Sequence, residues 1–394
     1  MRYQLPVFCD CLEILEYLEI FTLLIGCEKL RLLFVILNDT QKEVISSLLP
    51  LDLSTDTSLS LSLSEEYWRR KCFEKQWAHM NYWLSNCNWK NTFVSHSVED
   101  LFNNFIVGKL SFAEVKSALL CFQKYLFHLK INGFKFNYFN DSHKNLPLED
   151  YIFQLIPMFH KLKEINLNNF PLNYEIFFES NNNNFSVHSY KLLSKTLSEI
   201  KHLTKFNLIG TQMKPCQFSY IVDSLITLNS LINVDLSCNL ITDEYCDSIL
   251  KLLECSQLQS LVLSNNYITS KSIKTIISNL HENKSMKTLY LDRNSIEDEG
   301  AISIFQCLIL NNNLLRINLS YNQITSTSSF SLCMLLERNK ILQHLDLTGN
   351  SFGKVIFLLH TFNFYYYKIS YYITLFFLTI ELHTISSIKS LMIV

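Results

Sequence analysis

One arrangement of apolar and polar positions recurs through the second half of the chain. Leu231, Val234 and Leu236 precede Asn239 and Ile241, and Leu258, Leu261 and Leu263 precede Asn266 and Ile268. The frame returns as Met286, Leu289, Leu291, Asn294 and Ile296, as Leu314, Ile317, Leu319, Asn322 and Ile324, and as Leu342, Leu345, Leu347, Asn350 and Phe352. Successive Asn residues are 27, 28, 28 and 28 positions apart, with a looser copy one period upstream at Leu203, Phe206, Leu208, Thr211 and Met213. Alternation at the head of each unit predicts a short strand with one face buried. Between strands the apolar spacing lengthens to about 3.6, as in Ile249, Leu250, Leu252 and Leu253 or Ile273, Ile276, Ile277 and Leu280, which predicts a helix.

The frame L-x-x-L-x-L-x-x-N-x-L resembles the leucine-rich repeat in its long form. That resemblance implies an α/β solenoid of the ribonuclease-inhibitor-like horseshoe type, with 28-residue repeats, a parallel concave sheet and helices on the convex side. The repeated Asn has a physical role: a side-chain amide offers both donor and acceptor where a sharp turn would bury backbone groups without partners. Asn239, Asn266, Asn294, Asn322 and Asn350 are therefore expected to form a structural ladder. Leu in place of Asn266 or Asn294 is expected to destabilise several repeats together. Upstream, Leu126 to Ile131 and Leu162 to Leu167 supply two further strands at longer spacing. Pro147, Pro157 and the Asn181 to Asn184 run mark insertions in these early units, and the solenoid is expected to start near Lys124.

The block before the repeats has a different pattern. Leu30 to Leu49 is helix-like, and Leu53 to Ser64 alternates Ser and Leu in a low-complexity stretch that reads as a linker or a loosely packed segment. All four Trp follow within 22 residues, Trp68, Trp77, Trp83 and Trp89. Clustered aromatics can form a binding platform or the core of a small helical domain, and the second is the ordinary outcome.

Composition narrows the chemistry. Seven Gly and six Pro in 394 residues leave little material for glycine-rich phosphate loops. A net charge of -2, from 34 basic and 36 acidic residues without a basic tract, gives no electrostatic footprint for nucleic acid. The twelve Cys are scattered without a Cys-x-x-Cys pair and read as reduced thiols, and Asp10, Glu13, Glu16 and Glu19 occupy the place of a secretory apolar core. A reducing compartment is expected. Gly349 to Lys354 imitates a phosphate loop but is one residue short and lacks the following Ser or Thr. The eleven His show no metal-ligand spacing, and Cys246, Cys255 and Cys307 read as small buried hydrophobes in helices. No catalytic residue, cofactor or metal site is expected, and the chain is read as a non-enzyme.

What remains is a surface. Strand alternation places Asn207, Asp235, Val262, Tyr290, Asn318 and Asp346 in one outward column on the concave face, with Lys205, Asn233, Ser260, Thr288, Arg316 and His344 beside it. Asp292, Arg293 and Tyr321 add turn positions. Tyr and Arg often dominate interface energetics, so Tyr290, Arg293, Arg316 and Tyr321 lead the candidate protein-binding residues, with Asp235, Asp292 and Asp346. A plain solvated polar face is the alternative.

The Trp-rich block carries a more specific likeness. Tyr67-Trp68-x-Arg70-x-Cys72 followed by Trp77, then Asn88 to Phe93 running into Val98 to Phe105, and 28-residue repeats including Ile296 to Gly300, resemble the leucine-rich-repeat subunit five family of the nexin-dynein regulatory complex, the T-complex-associated testis-expressed type. The likeness spans roughly residues 30–353. It implies a non-catalytic scaffold in the axoneme of motile cilia or flagella, binding other subunits of that complex and axonemal microtubule-associated proteins, and regulating dynein-driven sliding. It implies cytoplasmic and cytoskeletal localisation, with neither nucleic acid nor membrane as a partner. A leucine-rich-repeat substrate adaptor of a ubiquitin ligase is the competing expectation, although the N-terminal block does not resemble an F-box.

The expected organisation is a helical, Trp-rich domain over residues 1–123, with 1–21 divergent, a repeat horseshoe over 124–353, and an aberrant apolar tail over 354–394 outside the fold. The tail's longest charge-free runs, Val355 to Tyr367 and Ile369 to Ile380, are 13 and 12 residues. A spanning helix needs about 20.

Overall fold

The computed structural model describes residues 34–35, 39–49, 51, 53–75, 88–132, 148–169 and 184–352. The chain divides into two units, Met1–Leu129 with Met158–Lys161, and Lys130–Pro157 with Leu162–Val394. Trp77, Trp83, Pro147, Asn181 to Asn183, the divergent residues 1–21 and the tail 354–394 lie outside the described residues. No helix among the described residues is long and apolar enough to cross a membrane.

The first unit is helical among its described residues: α1 (Asp39–Leu48), α2 (Thr55–Ser60), α3 (Glu65–Glu74), α4 (Trp89–Ile106) and α5 (Phe112–Leu119). Polar residues at the starts of α2 to α5 satisfy amides that no helix can satisfy for itself. Ser54, Ser64 and Asn88 accept from Thr57, Tyr67 and Asn91, and Ser111 with Glu114 closes a reciprocal capping box. The Ser/Leu stretch is not a linker. It folds as α2, whose Thr57, Ser58 and Leu59 are buried, because the hydroxyls that make the sequence look simple find partners. Ser58 Oγ bonds the Leu53 and Ser54 carbonyls and the Tyr67 hydroxyl, and the buried Lys71 Nζ donates to Leu53 O at 2.9 Å and Ser58 Oγ at 3.0 Å. Tyr67, Trp68 and Cys72 of α3 meet Phe93, Val94 and Val98 of α4 in the core.

The second unit alternates strand and helix. After β1 (His128–Asn132), which crosses the division, come α6 (Leu148–Leu155), β2 (Glu164–Asn168), α7 (Asn184–Glu199), β3 (Lys205–Ile209), α8 (Pro215–Leu225), β4 (Asn233–Asp235) and α9 (Cys246–Leu253). Then follow β5 (Ser260–Val262), α10 (Ser270–Glu282), β6 (Thr288–Tyr290), α11 (Glu297–Leu310), β7 (Arg316–Asn318), α12 (Ser329–Arg338) and β8 (His344–Asp346). The strands form one sheet in the order β1 to β8, and β2 to β8 pair in parallel. Lys205, Asn233, Ser260, Thr288, Arg316 and His344 share one register position. The middle residue of each strand, such as Val234, Leu261, Leu289 and Ile317, is buried against apolar helix positions including Ile249, Ile273, Ile276, Ile304 and Phe305. Its flanking neighbours face away from the helices.

Two features tighten the stack. A Cβ on Gly300 would stand 2.6 Å from Ile296 Cγ2 and 3.3 Å from Ser270 Cα, so the glycine lets the start of α11 pack tightly against α10. Asp150 on α6 is fully buried and binds α7 through Ser189 Oγ at 2.7 Å, with His188 Nε2 at 3.6 Å from its other oxygen. Burial pushes the Asp150 carboxyl up, against the opposing pull of Ser189 and His188.

Candidate interaction surface

The five ladder Asn residues tie each turn to the next. Asn266 Nδ2 donates to the carbonyls of Leu236 and Leu263, while its Oδ1 accepts from Asn239 N at 2.9 Å and Ile241 N at 3.0 Å. Asn294 repeats the pattern on Leu263, Leu291 and Ile268. Asn239 reaches Leu208 O, Leu236 O and Thr211 N, and Asn322 reaches Leu291 O and, at 3.4 Å, Ile296 N. Asn350 closes the series on Leu319, Leu347, Asn322 N and Ile324 N. In the first unit of the frame Thr211 takes the Asn position and donates its own hydroxyl to Asn239.

One residue before each rung the backbone turns left-handed. Gly210, Cys238, Asn265, Arg293, Tyr321 and Gly349 have φ between 53° and 71°. Each non-glycine residue there costs roughly 1–2 kcal/mol, and inter-repeat bonds such as Arg293 N to Ser320 O and Tyr321 N to Thr348 O hold the turn. This column aims its side chains along the rim where the strands end. The Arg293 guanidinium stacks 4.4 Å over the Tyr321 ring, and a Cβ on Gly349 would lie 2.5 Å from that ring. Arg293 and Tyr321 therefore form one preorganised pair seated on Gly349.

The other candidates divide into two groups. Tyr290 is half-buried and Arg316 exposed on the outward sheet face, and the Arg316 guanidinium has no hydrogen-bond or ion-pair partner among the described residues. The acidic candidates are engaged in structure. Asp235 accepts from Ser237 N at 3.0 Å and Oγ at 2.6 Å, Asp346 from Thr348 N at 2.9 Å, and Asp292 from Ser264 Oγ at 2.5 Å. A strand that turns immediately exposes an amide two residues on, within reach of a short carboxylate. Asp235 and Asp346 are first of all turn residues, and Asp292 ties its turn to the preceding repeat through Ser264.

Sequence reasoning missed Leu240 and Tyr267, 44% and 57% exposed one position after two rungs, on the two turns that precede those of Arg293 and Tyr321. That position follows no residue type, so the frame could not reveal it. A second amide series was also missed. Asn283, Asn311 and Asn339 end α10, α11 and α12 at the same 28-residue period. Their Oδ1 atoms accept from Met286, Leu314 and Leu342 N, and their amides reach Leu253, Leu280 and Leu308 O in the preceding repeats. Cys255 occupies the equivalent place one repeat earlier, past the end of its helix rather than within it, while Cys246 and Cys307 are half-buried. Burial pushes the Cys307 thiol up to about 11. Among the described residues no group of three or more His, Cys, Asp or Glu is placed to hold a metal ion.

Asp243 supplies a further inter-repeat tie, accepting from Thr269 N at 3.2 Å, Thr269 Oγ1 at 2.7 Å and Ser272 Oγ. Burial alone would raise its carboxyl, but the hydrogen bonds from Ser272 and Thr269 outweigh it and hold the group below its ordinary 3.8. The folded state therefore binds the proton more weakly than the unfolded state. This contribution to stability is complete above the unfolded value and is lost as pH falls through the folded one. Asp243→Asn is expected to melt below the parent at neutral pH, by under about 1 kcal/mol because the site is largely solvated. Melting curves of the two proteins should converge as pH drops below 3.8; a constant gap would show that the charge contributes nothing.

Residues 282–305 and 310–333 match the family model described as Leucine Rich repeat. A search of the curated proteins finds no match. Similar solved structures include the tropomodulin C-terminal domain of Caenorhabditis elegans, at 16% identity over 39% of this chain and 92% of that one, with a TM-score of 0.33. Leiomodin-1 actin-binding site 2 gives 18% identity over 37% and 86%, with a TM-score of 0.33, and a Bacteroides fragilis protein 13% over 62% and 74%, with 0.38. With its all-parallel eight-stranded sheet and helical returns, the chain folds as a leucine-rich-repeat α/β solenoid.

Proposed function

We propose that this protein is a non-catalytic scaffold that holds protein partners along its repeat sheet and the rim where the strands end. The observation that carries the reading is that Leu240, Tyr267, Arg293 and Tyr321 are exposed on four successive turns whose backbone is fixed by the Asn ladder. Rigid aromatic and guanidinium groups lose little freedom on binding, which is why such residues contribute heavily at interfaces. The finer reading is a subunit of the nexin-dynein regulatory complex, located in the axoneme of cilia or flagella. It is supported by the Tyr67-Trp68-x-Arg70-x-Cys72 segment, whose Tyr, Trp and Cys fill a helical core ahead of the repeats.

The test is localisation of a tagged protein in flagellated cells, followed by detergent and high-salt extraction. Retention on the axoneme that is lost when the regulatory complex is missing supports the finer reading. A diffuse cytosolic signal with ligase subunits in the pulldown replaces it with the ubiquitin-ligase adaptor. Arg293→Ala with Tyr321→Ala is expected to weaken capture of the native partners at least about tenfold while leaving the melting curve nearly unchanged. Equal capture by parent and variant would remove this rim from the interface.

A further inference from the structure

Charge separates across the last three repeats. On the rim where β6, β7 and β8 begin lie Lys284, Lys287, Arg316, Arg338, Lys340 and His344. Lys284, Arg316, Arg338 and Lys340 are exposed, and Lys287 and His344 half-exposed. Glu337 is the acidic residue among the described side chains of this rim in these repeats. The two preceding repeats place Asn229, Ser230, Glu254, Gln257 and Gln259 there instead. On the opposite rim the same repeats carry Asp292, Glu297, Asp298 and Glu299 beside Arg293, with Glu299 paired to Lys274.

The cations are held in fixed relation. Thr288, Arg316 and His344 are register neighbours, and Lys287 O accepts both Leu315 N and Arg316 N. Each loop that carries them is anchored by one of Asn283, Asn311 and Asn339, the repeats in which the second amide series occurs. From β6 to β8 is two strand spacings, roughly 10 Å. Several positive groups thus stand within the reach of a short extended segment, on a backbone with little freedom to lose on binding.

We infer that this rim docks a short acidic segment of a partner protein, with carboxylates facing Lys284, Lys287, Arg316 and Lys340. Arg316 presents a planar fork that suits a carboxylate held by two hydrogen bonds. A nucleic-acid strand fits less well. Its charge continues along its length, whereas this patch is interrupted after three repeats by two repeats without Lys or Arg on this rim, and Asp292, Glu297 and Asp298 stand across the sheet. The inference is independent of the axonemal reading, since axonemal retention and acidic-peptide binding are separate readouts.

The experiment is fluorescence anisotropy of a labelled oligoglutamate peptide titrated with the full chain. Binding that weakens with added salt, and falls at least about tenfold in Lys287→Glu with Arg316→Glu, is expected. Lys271→Glu, an exposed site at the start of α10, should leave binding unchanged. The milder pair Lys284→Gln with Lys340→Gln should weaken it in the same direction and keeps the test intact if the reversal fails to fold. Affinity unaffected by these changes would overturn the inference. So would tighter binding of labelled oligouridylate or anionic vesicles through the same residues, or self-association of the chain that the charge reversal abolishes.

Discussion

Asn294→Leu is expected to lower the stability of the repeat unit by about 3 kcal/mol, read as a lower urea midpoint with an unchanged slope. The bond geometry sets the size of the effect. Asn294 donates to Leu263 O at 3.0 Å and Leu291 O at 2.9 Å, and accepts from Ile268 N at 3.1 Å. Neither carbonyl is orphaned by the substitution, because Leu263 O also receives Asn266 and Leu291 O also receives Asn322. The Ile268 amide has no such second partner. A buried group left unsatisfied costs roughly 1–3 kcal/mol, and two lost bonds add about 0.5–1.5 each. The shared carbonyls give a sharper test. In Asn266→Ala with Asn294→Ala, Leu263 O loses both donors, so the double variant should be destabilised by on the order of 1 kcal/mol more than the sum of the two single variants. Strict additivity, or an unchanged midpoint for Asn294→Leu, would show that the rungs act independently or not at all.

What could be read from the sequence follows from what each position must satisfy. The strands and the Asn ladder were legible because burial and amide satisfaction restrict a position to a few residue types, and both recur at one period. The outward columns were legible because alternation along a strand is fixed by backbone geometry. The left-handed column was not. Its occupants Cys238, Asn265, Arg293 and Tyr321 share a backbone angle and no chemistry, and the signal was that two of the seven glycines, Gly210 and Gly349, stand at the same frame position. Asn283, Asn311 and Asn339 escaped notice because earlier repeats put Leu228 and Cys255 in their place. Asp235 and Asp346 were legible as outward but not as turn acceptors, since that depends on where the chain bends. The Ser/Leu stretch was misread for a related reason. Low complexity signals weak packing only when hydroxyls lack partners, and Ser58 has several.

Trp68→Ala is expected to cost the N-terminal unit about 4 kcal/mol, within the range for deleting a large buried aromatic. Trp68 is fully buried, with its ring 5.4 Å from Tyr67 at 89° and 5.2 Å from Phe93, and Lys90 Nζ lies 5.5 Å from it. Among the described residues its Nε1 has no hydrogen-bond partner. Trp68→Phe should therefore lose only the packing of the larger ring, about 1–3 kcal/mol, with no polar penalty. This contrast separates a core from a platform, because a Trp that stacks on a partner would lose binding on truncation and little stability. Cys72 provides an independent readout one turn along α3. Burial, and then the Glu65 carboxylate, push its thiol up to about 12, so at neutral pH it stays protonated and unreactive. Removing the Trp68 ring opens the core beside it, and mass-spectrometric mapping of maleimide labelling should show Cys72 modified faster in Trp68→Ala than in the parent. Unchanged stability with unchanged Cys72 labelling would mean that the aromatic block does not form the core of this unit.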